Sequence, residues 1–190
     1  RLAPMDVSRH LPLSNRPRDD ESGVTTDERP TIARLVERAA AVVDGQSDAD
    51  VLAQRFASDA GMGALASAGE LRALAEAVRT GRRRRGRQLV DAARALLRLA
   101  DTVGADAAIP PAVLGRVSLH ASATASFDRR AALSGSTVRA SDAEWEFGRG
   151  PIVEGTALEI TRFLLGLSDT APKAPRRQPP DVSAPMSPDA

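Results

Sequence analysis

Between Ile32 and Ala100 the apolar residues return every three or four positions, in four successive stretches, and little else can satisfy that spacing than packed helices. The first stretch carries Ile32, Leu35, Val36, Ala39 and Val43, and Gly45 ends it. Ser47 and Asp50 read as a capping box opening the second, with Leu52 and Phe56 on its buried side, and Gly61-Met62-Gly63 as its stop. Ser67 and Glu70 read as another box before a third stripe of Leu71, Leu74, Ala75 and Val78. The fourth, after a run of arginines, carries Leu89, Ala93, Leu96 and Ala100. The spacing predicts helices over 31–44, 48–60, 68–80 and 88–102, bundled so that each stripe covers another. Aromatics make up only 3% of the chain, so these helices meet through alanine and leucine.

A further helix-like stretch starts at Pro110-Pro111, where proline costs nothing, and runs through Leu114 and Leu119 towards Phe127. The periodicity then changes. Ser136 to Ala140 and Glu144 to Phe147 alternate, with Trp145 and Phe147 on one face, and Pro151 to Glu154 reads as a third short strand. Gly155 to Glu159 is a good helix start, and the helix that follows ends near Gly166. Pro12 to Pro30 reads as a polar loop, and Asp169 to Ala190 as a disordered, proline-rich tail. The fold class expected is mainly α with a small α+β C-terminal part. Its units are a helical bundle over 1–104, a small α/β unit over 105–168, and the tail over 169–190.

Several function classes are excluded or disfavoured at this level. Cysteine is absent, so disulfides, zinc-thiolate clusters and cysteine nucleophiles are ruled out. The 26 basic and 25 acidic residues nearly cancel, so any polyanion would have to meet a local patch. No apolar run approaches the roughly 20 residues that span a bilayer, and Arg1 to Met5 has no signal-peptide core. The expectation is a cytoplasmic protein without a membrane partner. Nucleophile elbows, phosphate loops and dinucleotide fingerprints are missing from the sequence.

The stretch from Gly135 to Gly166 carries the most specific signal: Ala140-Ser141-Asp142, Trp145, Gly148, Gly150-Pro151, Val153, Gly155 and Gly166, in that order. It resembles the C-terminal region of the mycothiol-dependent maleylpyruvate isomerase family, in the DinB-like metal-binding superfamily. Upstream, Asp6-Val7-Ser8-Arg9-His10-Leu11, Gln54-Arg55-Phe56-Ala57, and Gly104 with Ile109-Pro110-Pro111 stay in register with it. The resemblance implies a DinB-like four-helix bundle, its first helix missing here, followed by the α/β unit. It also implies an isomerase or thiol transferase acting on small organic molecules, with a divalent metal (zinc above all) and mycothiol as cofactors.

In the resembled family three side chains hold the metal. His10 matches the first ligand and Asp91 the acidic one, while Ala95 falls where a histidine belongs and Arg98 where an aspartate follows. Leu167 stands in place of a final arginine. Zinc binding is therefore expected to be weak, and Ala95→His with Arg98→Asp is expected to strengthen it. His120 reads as structural. Arg82-Arg83-Arg84-Arg85-Gly86-Arg87 reads as a solvated loop, because no aromatic interleaves with it to stack bases. The alternative function is a non-catalytic helical protein that binds an acidic partner, nucleic acid included, through that run.

Overall fold

The computed structural model describes residues 27–175. Four helices come first: α1 (Arg29–Val43), α2 (Ala49–Asp59), α3 (Glu70–Thr80) and α4 (Gly86–Val103). Next come α5 (Pro111–Thr124), α6 (Phe127–Leu133), the strands β1 (Thr137–Ala140), β2 (Glu146–Gly148) and β3 (Ile152–Gly155), and finally α7 (Ala157–Leu165). The described chain is mainly helical, with one small sheet near its C-terminal end. His10 and the predicted loop before Asp27 lie outside the described residues, as does the tail beyond residue 175.

α1 sits at the centre of the helical array, packed against α2, α3 and α4. Its stripe of Ile32, Leu35, Val36, Ala39 and Val43 is buried, and Pro30 occupies its first turn, where a missing N–H costs nothing. α4 buries a wider arc, Leu89 to Ala100, because it faces α1 on one side and α2 and α5 on others. It ends on Gly104, whose left-handed φ of 67° a side chain would strain. The hydrophobic core continues without a break from α1–α4 through Leu114, Val117, Val138 and Ile160. No described helix is long and apolar enough to cross a membrane.

Two predicted caps are not caps. No side chain caps α2 or α3. Asp50 instead accepts from the backbone N–H of Ala68 at 2.7 Å, and Glu70 from that of Ala66 at 3.0 Å. Both carboxylates find their donors in the connection between the two helices, so they shape that loop. A capping box does open α7, where Thr156 Oγ1 accepts from Glu159 N at 3.2 Å and Glu159 Oε2 from Thr156 N at 2.8 Å. The helix expected to run from Pro110 towards Phe127 also divides, since the backbone turns extended at Ala125. α6 then brings Arg129 to the carbonyls of Phe163 and Ser168, closing off the last turn of α7.

The sheet order is β2-β1-β3, with β2 antiparallel and β3 parallel to β1. Because β3 lies beyond β1, the Gly148–Pro151 link must cross the beginning of β1. A β-carbon on Gly150 would overlap the Gly135 carbonyl oxygen, and one on Gly148 that of Ser136. The other motif residues are structural in the same way. Asp142 Oδ1 accepts from Ala157 N at 2.6 Å at the start of α7, and Gly166 ends α7 at φ 75°. Between α5 and α7, Ser118 and Thr161 share a buried hydroxyl bond of 2.8 Å. The tail expected from Asp169 begins with residues the fold uses: Arg129 donates to Asp169 at 2.7 Å, and Lys173 pairs with Glu154 beside β3.

Candidate functional site

The residues that a metal would need do not converge among the described residues. Asp91 is engaged by Arg94 one turn away on α4, at 3.3 Å. Ala95 is 2% exposed, and with Leu52, Phe56 and Leu99 it lines a residual gap of about 10 Å³ between α2 and α4. Arg98 turns to Asp59 of α2 at 3.6 Å. No cluster of three His, Cys, Asp or Glu side chains suited to a metal ion occurs among the described residues. The donor set present there does not fit the metal that the resemblance implies. Asp91 alone would offer one carboxylate already neutralised by its neighbour.

This packing adds a cost to Ala95→His that the sequence alone does not show. An imidazole cannot enter a gap that size without pushing α2 off α4, and overpacking of this kind costs roughly 1–3 kcal/mol. Ala95→His is expected to lower the urea midpoint accordingly, with no recovery on adding zinc. A midpoint that rises with stoichiometric zinc would show the helix faces to be otherwise arranged.

A concavity of about 380 Å³ lies elsewhere, between α5 and β2. Ala112, Gly115 and Leu119 form its helical wall, and Trp145 and Phe147 its sheet wall. The two rings stack with centroids 6.1 Å apart and planes 12° from parallel. Trp145 is fixed at its polar end, where Nε1 donates to the Pro111 carbonyl at 3.1 Å. It also needs glycine opposite, because a β-carbon on Gly115 would come within 2.8 Å of the indole.

Arg116 closes one side of this cleft and is itself held from behind. Its Nη1 donates to Glu28 Oε2 at 3.1 Å and its Nη2 to Thr31 Oγ1 at 2.9 Å. Glu28 is only 1% exposed, and its other carboxylate oxygen has no described partner. A buried carboxylate is tolerated only beside a compensating charge, so Arg116 is a condition of Glu28 being where it is.

The arginine run adjoins the same side. Arg82, Arg83, Arg85 and Arg87 are exposed, as a solvated loop would have them, yet the turn is pinned. Glu28 N donates to the Arg84 carbonyl at 3.0 Å, and Arg29 Nη1 to that of Gly81 at 2.7 Å. Arg85 N donates to Gln88 Oε1 at 2.9 Å. Arg29, Arg79, Arg94, Arg98, Arg116 and Arg162 each meet a carboxylate, whereas no guanidinium of the run pairs with a described one, and only the main-chain N–H of Arg84 donates to Asp27 Oδ1, at 3.5 Å. His120 of α5 lies against Gly86, where a β-carbon would overlap its ring. Nearby, the Arg29 side-chain bond holds the Asp27 carboxyl down to about 2. That pair therefore contributes to stability above the ordinary carboxylate range near 4, and the contribution is lost as pH falls towards 2.

The α5–β2 cleft, Glu28 and Arg116 had no signal in the sequence, where Glu28 closes a polar stretch and Arg116 interrupts an apolar helix. The pairing of Trp145 with Phe147 was visible as alternation, but what faced them was not. No family model, no curated protein and no solved structure matches the chain.

Proposed function

We propose that this protein is a divergent, non-catalytic relative of the DinB-like isomerases that binds an acidic macromolecule through Arg82–Arg87. One observation carries this. Arg82, Arg83, Arg84 and Arg85 in a backbone-pinned turn, with Arg87 in the first turn of α4, have no described carboxylate paired to their guanidinium groups, in a protein that pairs many of its other arginines. Neutralising such a cluster is favourable for a partner that releases counterions, and pinning the turn lowers the ordering cost of binding. Catalysis has weaker support, because Asp91, Ala95 and Arg98 are committed to packing and to ion pairs with neighbours. The implied thiol cofactor would find no described metal seat to lower its pKa.

The test is a titration with a polyanion at several salt concentrations, including about 150 mM. Affinity is expected to fall steeply with salt. Arg83→Gln, Arg84→Gln and Arg85→Gln together are expected to reduce the slope of log affinity against log salt by up to about 2–3, at about 0.7–0.9 per lost phosphate contact. Binding that ignores salt, or that survives the triple replacement unchanged, would overturn the assignment.

A further inference from the structure

The run by itself carries no stacking surface, but the fold brings one beside it. Arg84 touches Glu28 through the backbone, Glu28 holds Arg116, and Arg116 flanks the cleft walled by Trp145 and Phe147. On α5, Gly115 lies under Trp145 and His120 lies against Gly86 of the run. Five residues of helix separate those two contacts, a rise of about 7–8 Å with a turn of about 140°, so the run meets α5 on the Arg116 side of the cleft.

We infer that the acidic partner is a single-stranded nucleic acid, with its phosphates on Arg82–Arg87 and one base in the α5–β2 cleft. This rests on the proposed role of the run and deepens it. The cleft has apolar and aromatic walls and a volume of about 380 Å³, within the range of small-ligand pockets. Arg116 presents a planar guanidinium held in place by Glu28 and Thr31, suited to stacking on a base or donating to its edge. Glu144 and Glu146 line the same cleft. Glu146 Oε2 already accepts from Arg139 Nε at 2.9 Å, so Glu144 supplies the carboxylate that repels phosphate and accepts from the exocyclic amine of cytosine or adenine, sorting the backbone to the run and the base to the cleft. A duplex keeps its bases stacked and has none to insert without flipping. An acidic peptide would satisfy the arginines and leave the aromatic walls unused.

Trp145 is the single tryptophan of the chain, so its fluorescence reports this cleft directly. The experiment titrates the full chain with a mixed-sequence single strand, an abasic strand of equal length, a duplex and polyglutamate. The single strand is expected to bind most tightly and to quench Trp145, while the abasic strand binds more weakly without quenching. Ala112→Phe, which fills the cleft from an exposed position without changing charge, should lower single-strand affinity about tenfold. It should leave abasic binding unchanged, and circular dichroism establishes that the variant is folded. Equal binding of intact and abasic strands with Trp145 unaffected would overturn the cleft assignment and leave the run as the binding surface. Tighter binding of the duplex or of polyglutamate would overturn the single-strand assignment. No binding to any of the four would overturn both the run and the cleft.

Discussion

Replacing Arg116 with methionine is expected to lower the unfolding free energy by about 3 kcal/mol, the low end of the about 3–5 kcal/mol seen when one member of a buried ion pair is removed. The low end applies because the Arg116 side chain is itself 42% exposed, while that of Glu28 is 1% exposed. Methionine keeps the length and the apolar stem, so the loss measures the stranded Glu28 carboxylate more than lost packing. One Glu28 oxygen already lacks a described partner, and the substitution would take the partner of the other. Adding Glu28→Gln to Arg116→Met is expected to return a good part of the loss, because an amide costs far less to bury than a charge. Urea unfolding of the single and double variants, read at constant m-value, checks both statements. A single variant within about 0.5 kcal/mol of the parent, the scatter of ordinary surface changes, would show that the pair does not matter to folding.

Gly150→Ala is expected to destabilise the protein by about 3 kcal/mol or more, adding backbone strain of about 1–3 kcal/mol to a backbone collision. The φ of Gly150 is +125°, a region side chains avoid, and the new β-carbon would overlap the Gly135 carbonyl oxygen. Neither partner can rotate away, since both are main chain in the crossing that carries β2 past the start of β1 to β3. Thr137 N also donates to the Pro151 carbonyl at 2.9 Å within this crossing, so a shift there would loosen the β1–β3 pairing. Gly45→Ala makes the informative control. Its φ is also positive, at 77°, but a β-carbon there meets nothing within 4 Å, so strain acts without collision. Thermal or urea unfolding should rank the Gly150 variant well below the Gly45 variant. Equal losses would mean that the crossing yields to the added atom.

The helices and strands were legible because their signals are local. A stripe such as Leu71, Leu74, Ala75 and Val78 fixes both the period and the buried face of α3. The alternation around Trp145 and Phe147 marked the sheet, and Thr156 with Gly166 bounded α7. Even these signals failed where a polar side chain had more than one donor in reach. Asp50 and Glu70 have the spacing of caps, yet each bonds a loop N–H that only the folded connection between α2 and α3 brings close.

The candidate metal residues show the same limit of local signals. Sequence spacing places Asp91 and Ala95 one turn apart on one helix, which is correct, but spacing cannot say what stands opposite. The tertiary structure puts Leu52, Phe56 and Asp59 there, and the face becomes apolar packing with an ion pair at its rim. The arginine run, by contrast, was plain in the sequence, and its exposure follows from charge alone.

What the chain determined by itself is its periodicity: where it coils, where it alternates, and which glycines must turn. Only the tertiary structure decided that Glu28 would be buried against Arg116, 88 residues away, and that Trp145 would lie over Gly115 near the arginines. Periodicity depends on neighbours within one or two turns. A compensated charge or an aromatic cleft depends on surfaces that meet only after loops have closed, and no local pattern encodes that meeting.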